Sequence, residues 1–283
     1  MLFDAVMIVK SILTTVSACF LVNGSLHAAL PTMSEQPWMG YFVGYETKKF
    51  RFTVDQNAKI MLVPLNQKGE PVSKVTQIPI LYGIEETNAE GRSYLRKILP
   101  ETLESSDTKT SKLEKCTIRG KVTGEASFEL HITQERGVIS LGGRMTDPGK
   151  LTRNPVRFVI RPDFPNSYPY DKKDDKQGAK AFEKKISDDR IDIKWTDGKK
   201  TKLTFEKDVD ANSNEVNGPG VAATVIEIAA YKDMRFMFTA TPDSVMKFSN
   251  EKTAPLYKGF AITWQADPEK DKEGKARLSI EVK

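Results

Sequence analysis

From Trp38 onward, apolar and polar residues alternate along most of the chain. In KKFRFTV (48–54), Phe50, Phe52 and Val54 share one face. A period of two predicts a half-buried β-strand. Asp55-Gln56-Asn57 then supplies a turn, and AKIMLVPL (58–65) the returning strand. VTQIPILYGIEET (75–87) is strand-like, with Pro79 better suited to an edge or a bulge than to a central position. RSYLRKILPETLE (92–104) is expected as a short helix interrupted by Pro100. Four clearer strand candidates follow: KCTIRGKV (115–122), ASFELHITQE (126–135), GVISLGGRM (137–145) and PVRFVIRP (155–162). The first three are joined by turns of hairpin length.

The pattern breaks at RPDFPNSYPYDKKDDKQG (161–178), which carries three prolines and dense charge. It reads as a linker or long surface loop. AKAFEKKIS (179–187) suits a short helix. Alternation then resumes in DRIDIKWTD (189–197), KTKLTFEKDV (200–209), VAATVIEIAAY (221–231), MRFMFTA (234–240), SVMKFS (244–249), GFAITWQA (259–266) and ARLSIEV (276–282). Many short strands at regular spacing point to sandwiches or barrels. The expectation is a mainly β chain. Two β-sandwich-like antiparallel domains, at 33–162 and 179–283, would be joined by a Pro-rich, charged linker at 163–178, with one or two short helices. The halves do not align well enough to argue a tandem duplication.

The first 28 residues break the alternation differently. Lys10 precedes a short apolar run, Ile12 to Val22, and small residues follow. That layout is expected of a secretory signal cleaved by residue 28. The run after Lys10 is too short for a membrane span of about 20 apolar residues. Val16-Ser17-Ala18-Cys19 suggests an alternative, a lipoprotein anchored through Cys19. The apolar run continues past that cysteine as Phe20-Leu21-Val22, which favours ordinary cleavage. The expected location is therefore periplasmic, cell-surface or extracellular, with no transmembrane span after signal removal.

Composition narrows the chemistry. The 283 residues are 39% hydrophobic, enough for a core. The 43 Lys and Arg are interleaved with 38 Asp and Glu, so the net charge of +5 forms no basic stripe. Nucleic acid is not an expected partner. With residues 1–28 removed, Cys116 is the one remaining cysteine, and an intramolecular disulfide is excluded.

Few residues invite a catalytic role. His131 lies opposite Phe128, Leu130 and Ile132 in its strand and is expected at the surface. As a base it would need a nucleophile and an orienting acid beside it. Cys116 alternates with Ile118 and reads as a buried, inert thiol. Gly142-Gly143 falls inside a strand pattern, where a bulge or a close backbone approach is expected. The loop DVDANSNEVNGPG (208–220) spaces oxygen-bearing side chains at Asp208, Asp210, Asn212 and Asn214, as calcium loops do. Ser213 stands where such a loop needs glycine, and Pro219 where it needs a bidentate glutamate, so an EF-hand is rejected. The preferred reading is a loop with local Asx turns. Calcium is the one cofactor candidate. Trp195 and Trp264 share faces with apolar neighbours and read as core. Trp38, Tyr168 and Tyr170 are the candidates for exposed, ligand-stacking aromatics.

These features favour an exported, non-enzymatic β-sandwich protein acting in surface interaction, adhesion or envelope structure. Its partner would be a protein or a surface polysaccharide. The first alternative is a secreted carbohydrate-binding or carbohydrate-active protein. The second is a calcium-dependent assembly protein.

Overall fold

The alternating segments pair into two antiparallel sheets whose apolar faces meet. The computed structural model describes residues 30–106, 113–168, 176–205, 208–210, 213, 216–217, 220–227, 231, 234–250 and 254–283. The first half forms β1 (Tyr41–Glu46), β2 (Phe50–Asp55), β3 (Ile60–Pro64), β4 (Ile78–Thr87), β5 (Ser93–Leu95) and β6 (Ile98–Ser106). It continues as β7 (Lys115–Val122), β8 (Ser127–Glu135), β9 (Val138–Asp147) and β10 (Val156–Phe164). Helix α1 (Lys176–Ile186) follows. Then come β11 (Arg190–Trp195), β12 (Lys200–Thr204), β13 (Val221–Glu227), β14 (Arg235–Ala240), β15 (Ser244–Asn250), β16 (Phe260–Ala266) and β17 (Leu278–Val282).

One sheet runs β1-β2-β3-β4-β10-β16-β15, with β5 also paired to β4. The other runs β12-β11-β13-β14-β17-β9-β8-β7-β6. The expected parting of the chain into two sandwiches at 163–178 is corrected by this order. Both sheets draw strands from both halves: β10 pairs with β16, and β9 with β17. The physical reason is edge satisfaction. A strand ending the first half leaves a row of unpaired N–H and C=O groups, and strands of the second half cover it. The expected linker also starts inside a strand, because β10 reaches Phe164. Residues 169–175 and 1–29, which include the expected signal at 1–28, lie outside the described residues.

Two local expectations change with pairing. RSYLRKILPETLE forms β5 and the start of β6, not a helix. Pro100 is accommodated by a register shift between Leu99 and Glu104 against β7, where the Lys121 N–H donates to the Thr102 hydroxyl at 2.8 Å. A side chain thus takes over where the ladder is broken. Pro79 sits in β4, which is central. The pairing with β10 reaches only as far as Ile80, so Pro79 is flanked by β3 alone. The missing N–H is tolerated there for the same reason as at an edge.

The core is aromatic and continuous between the layers. Tyr82 meets Phe128 edge-on at 5.8 Å, and Phe128 meets Phe158 at 6.0 Å. Phe164 stacks on Phe260 at 4.6 Å and presents edges to Phe236 and Phe238 of the opposite sheet. Trp264 is fully buried and Trp195 packs at the margin of the core, in line with their apolar strand faces. Cys116 is buried and unoxidised.

Candidate functional site

A pocket of about 360 Å³ opens on the outer face of the first sheet, where β10, β16 and β15 run side by side. Register explains its shape. Asp163 of β10 and Ser249 of β15 both pair with Ala261 of β16. A methyl group therefore forms the floor between two larger polar neighbours. Gly259, just before β16, has φ of +123°, and a Cβ there would meet the Phe164 carbonyl oxygen at 3.0 Å. The chain can enter β16 this closely only without a side chain. Arg161, Asn250 and Lys258 complete the polar lining.

Two of these side chains each carry one buried polar atom without a hydrogen-bond partner. Asn250 is oriented by its own amide: Nδ2 donates to the Val209 carbonyl at 3.1 Å and the Ala254 carbonyl at 2.8 Å. Its Oδ1 is left with no donor. Arg161 lies 3.5 Å from Asp163 through one terminal nitrogen, and its buried Nε has no acceptor. An unmade hydrogen bond on a buried group costs about 1–3 kcal/mol, so native structures seldom leave one. Both residues line the same open pocket, with these two atoms closed off from solvent behind it. Lys258 is exposed beside them.

The loop chosen for calcium borders this region. Asp208 and Asp210 are both exposed, and Asp208 forms an isolated bridge with Pro255. Asn212 and Asn214 lie outside the described residues. Among the described residues, no three His, Cys, Asp or Glu side chains converge as metal ligands. What the loop does make is a clasp. Asn217 Nδ2 donates to the Phe248 carbonyl at 2.5 Å, and the Phe248 N–H donates back to Asn217 Oδ1 at 2.6 Å. The amide thus covers part of the free edge of β15. Local Asx turns alone do not describe this loop.

The aromatic candidates are rearranged. Tyr168 is buried at 4% exposure, and its hydroxyl donates to Asp189 at 2.5 Å. It is not an exposed platform, because the end of the sandwich and Phe182 of α1 close around it. Trp38 is half-buried, and its ring occupies the space a Cβ on Gly44 would need. Tyr170 lies outside the described residues. Among the described residues, the exposed aromatic is Tyr94 in β5, with the Arg96 guanidinium 5.2 Å from its ring centre. Its segment, read as a helix, gave no sign of that.

His131 has the neighbours a base would need. It is half-buried rather than free on the surface. Its Nδ1 lies 3.2 Å from the Thr117 hydroxyl and its Nε2 3.3 Å from Glu129. Burial holds its pKa below the ordinary imidazole value, with Arg277 and Arg144 adding to that against the pull of Glu129. A neutral ring then donates through Nε2 to the carboxylate and accepts the hydroxyl at Nδ1. Burial pushes the Glu129 carboxyl up. The hydrogen bond from Arg144, at 2.7 Å, opposes it, and the net shift is below the usual carboxylate range. Thr117 is 5% exposed, so this array knits β7, β8 and β9 together and presents no accessible nucleophile. Gly142 serves it by close approach: a Cβ there would meet the Ala276 carbonyl and the Arg277 side chain, each at 2.6 Å.

No family model and no curated protein matches the chain. Solved structures do. The α-N-acetylgalactosaminidase NagBb from Bifidobacterium bifidum, in complex with GalNAc, aligns with a TM-score of 0.52 at 10% identity. The same enzyme in complex with Gal-NHAc-DNJ gives 0.51 at 11% identity. In both cases the likeness covers 85% of this chain and 36% of the enzyme. The chain thus spans about a third of the enzyme's length, and what the two share is the β-rich fold.

Proposed function

We propose that this is an exported protein that binds saccharide in the pocket between β10, β16 and β15. The observation that carries the reading is the convergence of Arg161, Asp163, Ser249, Asn250 and Lys258 on one open pocket. A sugar hydroxyl both donates and accepts, so adjacent hydroxyls can accept from the terminal nitrogens of Arg161 and donate to the Asp163 carboxylate. The volume of about 360 Å³ lies at the lower end of the range for small-molecule sites, as one sugar ring requires. The shared fold is in keeping with it, since one protein that has it, over about a third of its own length, is a glycosidase seen with GalNAc. We prefer this to the broader reading of an adhesion or envelope protein because it uses a particular site.

Binding, not hydrolysis, is the proposed activity. Glycoside cleavage ordinarily takes two carboxyl groups about 5–9.5 Å apart. Among the described residues, the pocket lining supplies one, Asp163. Export rests on the apolar run after Lys10 and on the small residues that follow it. The test is a saccharide panel screened with the wild-type protein and Arg161→Gln. Binding of at least one saccharide, lost in the variant, supports the proposal. A wild-type protein that binds nothing on a broad panel overturns it.

A further inference from the structure

Arg161 differs from its neighbour Arg157, four residues earlier on β10. Arg157 directs Nε, at 2.8 Å, and a terminal nitrogen, at 2.5 Å, to one oxygen of Glu85. Arg96 and Arg144 likewise have close carboxylate partners. Arg161 has Asp163 at 3.5 Å, too far for a good hydrogen bond, and its Nε is buried and unpaired. Lys258 also lines the pocket and makes no ion pair among the described residues. Among the described residues, the lining therefore holds two cations and one loosely engaged acid. A guanidinium edge that is partly desolvated is matched best by an anion with planar or multiple oxygens.

We infer that the saccharide taken by this pocket is acidic, with a carboxylate or sulfate held by Arg161 and Lys258. Its neighbouring hydroxyls then donate to Asp163, whose carboxylate is open to the pocket. The inference rests on the saccharide reading and narrows it. Arg161 recognises the anion by geometry, and Lys258, exposed and flexible, acts as a point charge.

Calorimetric titration of the full protein tests this with three probes of equal length: a galacturonate trisaccharide, its methyl ester and a sulfated galactose trisaccharide. The ester keeps the sugar backbone and removes the charge. At least one acidic probe is expected to bind about tenfold or more tightly than the ester, the loss of one charge-assisted contact. The stronger acidic probe identifies the anion as carboxylate or sulfate. Lys258→Met, at an exposed position, should weaken the acidic probe about fivefold and the ester by clearly less. Lys202→Met, on the far edge of the other sheet, should change neither. Equal binding of acid and ester, or equal loss in the two lysine variants, overturns the inference. So does binding of neutral panel sugars with none of the acidic probes, and that result leaves the saccharide reading standing. If no saccharide of any kind binds, both fall.

Discussion

Asn217→Ala removes the clasp on the edge of β15. Two hydrogen bonds join Asn217 to the Phe248 backbone, at 2.5 and 2.6 Å, both part-buried. At about 1 kcal/mol for each bond, the loss is about 2 kcal/mol. For a chain of this size, that lowers the melting temperature by about 4 °C. Circular dichroism melts of wild type and variant measure it. Asn217→Asp sharpens the test. The carboxylate still accepts from the Phe248 N–H, but its second oxygen now faces the Phe248 carbonyl. At neutral pH the aspartate variant should therefore be less stable than the alanine variant. Its deficit should shrink below about pH 4, where a protonated aspartate can donate again. A shift of less than about 1 °C for the alanine variant would refute the clasp as a stabilising contact.

Phe164→Ala should cost about 3–5 kcal/mol, because the ring contacts Phe260 on its own sheet and Phe236 and Phe238 on the other; chemical denaturation checks it. The lowered His131 pKa means that the unfolded chain takes up its proton first as pH falls. The stability linked to His131 is complete above about 6.5, the ordinary value, and declines from there down to the folded value. Melting temperatures at pH 7 and pH 5 should thus differ more for wild type than for His131→Gln. Cys116, fully buried, should resist a thiol reagent under native conditions and react once denaturant is added.

Strand identity was legible wherever one face of a segment had to be apolar. Phe50, Phe52 and Val54, or Phe128, Leu130 and Ile132, announce both the strand and its buried face, and all six are buried. Tyr168 and the 92–104 segment were misread because their state depends on distant partners. Tyr168 is buried by Asp189 and Phe182. The 92–104 segment is drawn into strands by β4 and β7, against a local pattern that also fits a helix. Of the pocket, only the outward direction of Arg161 could be read, from its alternation with the buried Ile160.

Strand periodicity and the even mixing of charge are properties of neighbours in sequence, and the sequence alone determined them. Which strands lie side by side was decided by tertiary structure. Pairing satisfies backbone groups irrespective of separation along the chain, so β10 found β16 nearly a hundred positions away. Together with β9 and β17 in the other sheet, that pairing merges the expected domains into shared sheets. It also brings Arg161 and Asp163 beside Ser249, Asn250 and Lys258, and so creates a site that no local motif encodes.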